Sequence, residues 1–290
     1  AVAFSLDEHW HIYWQNPGDA GVPTEINWSS DQLEFGPLKW SIPELFRESG
    51  GDLTVFGYED RIILFSEATV AEDASGTIDL AAKVDYLACS SACMPGKARL
   101  TRSIPVGPKT QGTSREILSA LETYGARVPR PAGEYGLEVN TIYSQRPIRP
   151  TDTFEAALEV VACGEGAEMC AGWEPLWDQK SYAFIRDRYS GADVTVTSVH
   201  EHPEAERGWI FKLTGEVREE GERTKDLLTG VMRFRNGEGT EIPVYIREEL
   251  PLGEPGASVQ EIDSELLNLS TSSVGASGAT AISPGGIRVA

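Results

Sequence analysis

Positive charge is what the chain is short of. Its 290 residues hold 25 Lys and Arg against 45 Asp and Glu, a formal net charge of −20. A chain this acidic is repelled by nucleic acid and by anionic membrane surfaces, so neither is expected as a partner. Long apolar runs are missing too. Stretches such as Ile62-Ile63-Leu64-Phe65 have the length of a strand, well short of the ~20 residues a membrane helix needs. No leader-like segment is present, and the sequence starts at Ala1, so a mature or excised fragment is expected. Cysteine is scarce. The four cysteines fall in two close pairs, Cys89 with Cys93 and Cys163 with Cys170. Even, close-set pairs fit an oxidising compartment. Neither pair has a His or a second Cys pair at finger spacing, so no zinc site is expected there.

What is present alternates mostly with period two. From Thr77, Ile78, Leu80, Ala82, Val84, Tyr86 and Ala88 share one parity, and Asp79, Lys83 and Asp85 the other. That is a half-buried strand, with Cys89 at its end on the more polar parity. Ala98, Leu100 and Ile104 then alternate with Arg99, Thr101 and Ser103, so Cys89 and Cys93 sit in the connection between two strands. Further strands are expected at Trp10–Trp14, Thr24–Trp28, Pro37–Ser41 and Arg61–Val70. Gly, Pro, Asn and Asp fill the turns between them. Thr113-Ser114-Arg115-Glu116 has the capping-box spacing and predicts a helix ending near Tyr124-Gly125, followed by a linker through Pro129, Pro131 and Gly133. The second half repeats the strand pattern from Phe154 to Ala162, at Ser181–Arg186, Val194–Val199, Trp209–Val217, Gly230–Arg235 and Ile242–Ile246, with Cys163 at a strand end. The expected organisation is all-β. A first β-sandwich spans 1–110, a helix and linker 111–134, and a second β-sandwich 135–250. A Gly/Ser-rich segment over 251–290 reads as a further linker.

The two cysteine pairs invite different chemistry. Closing the small Cys89–Cys93 ring stabilises by roughly 2 kcal/mol in the chain-entropy model, whereas a bridge spanning tens of residues gives roughly 4–5 kcal/mol. A tight pair at a strand end therefore suits opening and closing better than stapling, and small exposed disulfides are the labile ones. Ser90, Ser91 and Ala92 are small enough to admit a partner sulfur, and the Pro95-Gly96 turn holds Cys93 near the surface. A structural hairpin disulfide is the competing reading, which spacing alone leaves open. The Cys163–Cys170 loop holds two glutamates that disfavour thiolates, and this pair is read as a structural disulfide. His9 with His11, and His200 with His202, are spaced to share one side of a strand and could chelate a metal, although polar-loop histidines usually do not. Cys89, Cys93 and Met94 are soft ligands suited to Cu(I), an alternative to redox work. Trp10, Tyr13 and Trp14 read as sandwich core.

The stretch Trp10-His11-Ile12-Tyr13-Trp14-Gln15-Asn16-Pro17-Gly18-Asp19-Ala20-Gly21 resembles the amino-terminal signature of DsbD-type thiol:disulfide interchange proteins, closer to the ScsB branch linked to copper tolerance. Phe56-Gly57-Tyr58-Glu59 and the segment from Tyr86 to Gly96 continue the likeness in order, over about the first 130 residues. The resemblance implies an immunoglobulin-like domain for the first half; the second half fits only in layout, and with the strand pattern the expectation is two tandem immunoglobulin-like sandwiches joined by a short helix. It implies a periplasmic protein-disulfide reductase whose Cys89–Cys93 pair carries electrons without any other cofactor. Its expected partners are a membrane-embedded donor domain of the same protein and periplasmic thioredoxin-fold proteins. The family order makes Cys93 the resolving thiol. An aromatic cap over the disulfide is implied, for which Phe56 or Tyr58 is the candidate, with Asp85, Tyr86 and Pro95 around the pair. Asp85, as the nearest acid, would disfavour a Cys89 thiolate.

Overall fold

Alternation of apolar and polar residues gives mostly strands. In the first half these run as β1 (Val2–Ser5), β2 (His11–Gly18), β3 (Glu25–Ser29), β4 (Leu33–Phe35), β5 (Glu44–Glu48), β6 (Leu53–Glu59), β7 (Arg61–Leu64), β8 (Ala68–Val70), β9 (Thr77–Cys89) and β10 (Cys93–Pro105). Helix α1 (Arg115–Gly125) leads to β11 (Arg130–Pro131), β12 (Leu137–Tyr143), β13 (Gln145–Arg146), β14 (Thr153–Ala162), β15 (Glu174–Pro175), β16 (Ile185–Arg186), β17 (Ala192–Glu201), β18 (Gly208–Val217), β19 (Leu227–Arg235), β20 (Glu241–Glu249) and β21 (Gln260–Glu261). The computed structural model describes residues 1–107, 114–162, 173–176, 183–205, 207–219, 226–236 and 238–269.

The first half is built on a six-stranded antiparallel sheet ordered β10–β9–β2–β6–β5, with β3 pairing β9 beyond β2. Its even-parity residues on β9, Ile78, Ala82 and Val84, are buried. Ala82 and Val84 join Ile12, Trp14, Phe56 and Tyr58 in one core, which the β1–β7 ladder covers with Val2, Phe4, Ile62 and Leu64. Two packed antiparallel layers over a shared core make a sandwich. The second half is a sandwich of β12–β14–β18–β17 against β11–β20–β19, where Leu158, Phe211 and Leu213 face Leu228, Met232, Phe234 and Val244.

Several expectations shift. Pro37–Ser41 forms no strand; only Lys39 bridges to Phe65, since the flanking Pro37 and Pro43 have no N–H to donate to a ladder. Arg61–Val70 divides where the partner changes from β1 to β4. The helix ends at Gly125 as expected, and its cap is Ser114, whose hydroxyl accepts from the Ile117 N–H at 3.4 Å. That is one residue later than the capping-box spacing implies. Within the expected linker, Arg130 and Pro131 pair in parallel with Val244 and Tyr245. Residues 251–269 depart from the linker expectation. Gln260–Glu261 pair with β13, Leu267 is buried, and its carbonyl accepts from the Lys212 ammonium. The later Gly/Ser stretch, and Cys163 and Cys170, lie outside the described residues.

The halves touch. Ile185 and Val231 of the second half are buried in the first half's core, with Tyr245 packed beside them. Asn16 Nδ2 donates to the Arg186 carbonyl at 2.8 Å, and Arg233 donates to the carbonyl of Pro43. A cleft of about 770 Å³ between them is lined by Asn16, Phe56, Phe154, Arg186, Asp193 and Glu216. Strand β10 is the outer strand of its sheet and is exposed almost throughout, Met94, Leu100 and Ile104 included. Among the described residues, β9 is its only strand neighbour. No helix among the described residues is long and apolar enough to cross a membrane.

Candidate functional site

β9 and β10 form a hairpin of thirteen facing pairs, and Cys93 faces Cys89 at its closed end. The two are disulfide-bonded, with Cα atoms 4.1 Å apart. Ser90, Ser91 and Ala92 make the turn, held by the Ser90 N–H donating to the Ala92 carbonyl at 3.1 Å. The sulfurs differ in access: Cys93 is exposed, while Cys89 is 1% exposed.

Cys89 was expected on the polar parity, and its burial has a local cause. Near the hairpin's closed end the odd parity of β9 changes from Asp85 to Leu87 and Cys89. There a second, smaller core covers it, made of Tyr13 and Val55 with Phe46, Ala20 and Leu87. The β5–β6 hairpin supplies Phe46 and Val55, which face each other in its ladder. The aromatic beside Cys89 is therefore Phe46 together with Tyr13. Phe56 and Tyr58, the cap candidates, lie on the opposite parity of β6 from Val55, in the main core. Phe56 also lines the cleft, and the Tyr58 hydroxyl donates to the Ser41 carbonyl at 2.5 Å. A one-residue change of parity moves a side chain to the other face.

The family-like motif builds this cover. After Tyr13, β2 bulges, so that Tyr13 faces Gly57 and Gly18 faces Val55. Gly18 has φ +89°, and a Cβ there would lie 2.4 Å from the Thr54 carbonyl oxygen. Gly21 has φ +100°, and its Cβ would lie 2.3 Å from the Tyr13 ring. Only glycine permits both close approaches. Asp19 fastens the loop by accepting from the Thr54 N–H at 2.8 Å.

A polar network lies in the same cover. His11 stands directly opposite Cys89 on the neighbouring strand. Its ring stacks on Phe46, centroids 4.8 Å apart, and meets Tyr13 edge-on at 5.2 Å. His11 Nε2 lies 2.8 Å from Glu48 Oε1, and the Tyr13 hydroxyl donates to the same oxygen at 2.7 Å. Burial, then the Glu48 hydrogen bond and charge, push the Tyr13 phenol well above its ordinary range, so it remains a donor. This network was missed because its members are up to 37 residues apart in sequence. The alternation of His11 with Tyr13 was the one available signal.

The remaining candidates fall elsewhere. Asp85 is four residues back from Cys89 and bonds Lys83 and Lys97, each at 3.2 Å, which lowers its carboxyl below the ordinary value. Its charge is met there, so the expected penalty on a Cys89 thiolate is offset. Tyr86 packs edge-on to Phe4 at 5.8 Å, and Pro95 is exposed opposite Leu87. His9 is exposed, has φ +67° and precedes β2, while His11 is buried, so the two do not chelate as a pair. His200 Nε2 bonds Ser198 Oγ at 2.8 Å, and His202 Nε2 bonds Glu159 Oε1 at 2.5 Å. Met94 faces Ala88 and so lies on the other side of β10 from Cys93. Among the described residues no three His, Cys, Asp or Glu side chains group to hold a metal.

The comparisons agree with this geometry. Residues 1–105 match the family described as thiol:disulfide interchange protein DsbD, N-terminal. The chain shares its fold with a crystal structure of the N-terminal periplasmic domain of ScsB from Proteus mirabilis. The identity is 17%, 86% of each chain is covered and the TM-score is 0.51. No curated protein sequence matches. The disulfide-closed hairpin under its aromatic cover thus lies within residues 1–105, the part of the chain that is similar to the DsbD amino-terminal family of thiol:disulfide interchange proteins.

Proposed function

We propose that the chain is a periplasmic thiol–disulfide exchange module. It takes reducing equivalents from a membrane-embedded donor domain of the same protein and passes them to thioredoxin-fold partners. Residues 1–110 are the redox unit and 135–269 a second sandwich packed against it. Cys93 is the sulfur that exchanges with partners and Cys89 the one that resolves, the reverse of the order the family resemblance implied.

The unequal exposure of the two sulfurs supports this reading. A thiolate must approach the attacked sulfur along the S–S axis, and access decides which sulfur is attacked. Only Cys93 offers that access. In the donating direction the Cys93 thiolate attacks a partner disulfide and a mixed disulfide forms. Cys89 then attacks the Cys93 sulfur, the intramolecular disulfide closes, and the partner leaves reduced by two electrons.

The test is trapping. Cys89→Ala keeps the exchanging sulfur and removes the resolving one, so it should accumulate a mixed disulfide with periplasmic thioredoxin-fold proteins, detected on non-reducing gels. Cys93→Ala should accumulate far less. Equal trapping by the two variants, or none by either, would sink the proposal. A redox titration adds a second check, since an inert staple stays oxidised below about −300 mV.

A further inference from the structure

The resolving sulfur is buried under Tyr13 and Val55, and burial in apolar surroundings disfavours the thiolate it needs. Something beside it must take the proton. We infer that His11, held by Glu48, is the proton acceptor for the Cys89 thiol when Cys89 closes the disulfide. The inference rests on the exchange function proposed above and assigns it a further residue.

Three observations carry it. The first is register: His11 and Cys89 face each other on adjacent antiparallel strands. Side chains so paired share a face, with Cβ atoms about 4.5–5.5 Å apart. The second is orientation. Glu48 Oε1 already accepts from the Tyr13 hydroxyl. As a carboxylate it accepts again from His11 Nε2, which places the imidazole proton on Nε2 and leaves the Nδ1 lone pair open. A carboxylate that fixes the tautomer and stabilises the imidazolium is the device that makes histidine an effective base beside a nucleophile. The third is position. By ladder register, Glu48 faces Leu53, six residues from the Glu59 that faces His11. Glu48 therefore meets the imidazole across the sheet rather than along a shared ladder, at 2.8 Å. Phe46, from the same strand, stacks on the His11 ring.

The charged and titratable groups facing His11 are Tyr13 from its own strand, Glu48 from β5, Glu59 opposite it on β6 and Cys89 on β9. Glu59 is exposed. In the resolving step the Cys89 S–H proton goes to His11 Nδ1. The Cys89 sulfur then bonds the Cys93 sulfur, the bond from Cys93 to the partner breaks, and the partner leaves as a thiolate. That thiolate is protonated from the imidazolium or from water. Two electrons move from the dithiol to the partner, and His11 returns to its starting state.

The reduced full chain, reacted with dithiobis(nitrobenzoate), separates the two sulfurs. The first nitrothiobenzoate released reports attack by Cys93, and the second reports closure by Cys89. His11→Gln should slow the second release by roughly a hundredfold near neutral pH, at the lower end of what a positioned general base supplies, and leave the first unchanged. The second release should then rise about tenfold per pH unit, as for an unassisted thiol, where the wild type is flatter. Glu48→Gln, which keeps the size of the side chain, should slow the second release less. It carries the test if His11→Gln does not fold by circular dichroism. Both releases in the wild type with an unchanged second release in the folded variants overturn the inference and leave the exchange function standing. No first release from the wild type overturns both.

Discussion

His200 shows what burial does to a single side chain. It is buried beside Ser198, and burial, then the Lys212 charge, lower its pKa from 6.5. The folded chain therefore takes up that proton at lower pH than the unfolded chain. Below about 6.5 the unfolded state binds more protons, so stability falls as the pH drops through that value and is retained above it. His200→Gln should flatten the dependence of the urea midpoint on pH over that window. An unchanged slope would show that His200 is not the group responsible. Residues also show what sequence alone could reach. The Cys89–Cys93 disulfide was legible because the two cysteines lie only four residues apart, in the connection between two strands. His11 was weighed with His9 because only neighbours along the chain were visible. Its actual neighbours come from elsewhere in the chain: Cys89 stands opposite it in the strand ladder, and Glu48 bonds its ring from β5, a strand that does not pair with β2.

Among elements, the β9–β10 hairpin is where redox state and stability meet. Its thirteen facing pairs do not depend on the disulfide, which closes only the last of them. Reduction should leave the sandwich folded and lower its stability by about 2 kcal/mol, the entropy of so small a ring. For a chain of this size that is roughly a 4–8 °C fall in Tm on adding dithiothreitol, read by circular dichroism at fixed pH. Loss of folded signal on reduction would make the bridge a staple and count against redox cycling. The long strands were predictable because period-two alternation fixes them. Which face of β6 meets the disulfide was not, because Val55 and Phe56 are both apolar and only register tells the small core from the large one. Pro37–Ser41 misled for a related reason: its apolar residues Leu38 and Trp40 pack, partly buried, against the main core without a ladder.

Across the whole molecule, the two halves share a core. Ile185 and Val231 are buried among first-half residues, and Arg233 reaches the Pro43 carbonyl. Val231→Asp would place an unpaired carboxylate in that shared core, at a cost of several kcal/mol. The wild type is expected to melt in a single calorimetric transition, and the variant in two, with the halves uncoupled. Two transitions in the wild type would show that the contact is too weak to link them. None of this was legible beforehand. Alternation within each half says which residues are inside, and Val231 reads simply as inside, with no sign that its neighbours come from the other sandwich.

Among the described residues, strand β10 leaves one margin of its sheet unpaired, beside Cys93. A bare margin of thirteen residues is a template on which another copy could knit its own strand. Here the strand bears Lys97, Arg99 and Arg102 and no acidic residue, against the grain of so acidic a chain. Two copies aligned edge to edge would bring those cations together. Like charges along such a seam would oppose that pairing.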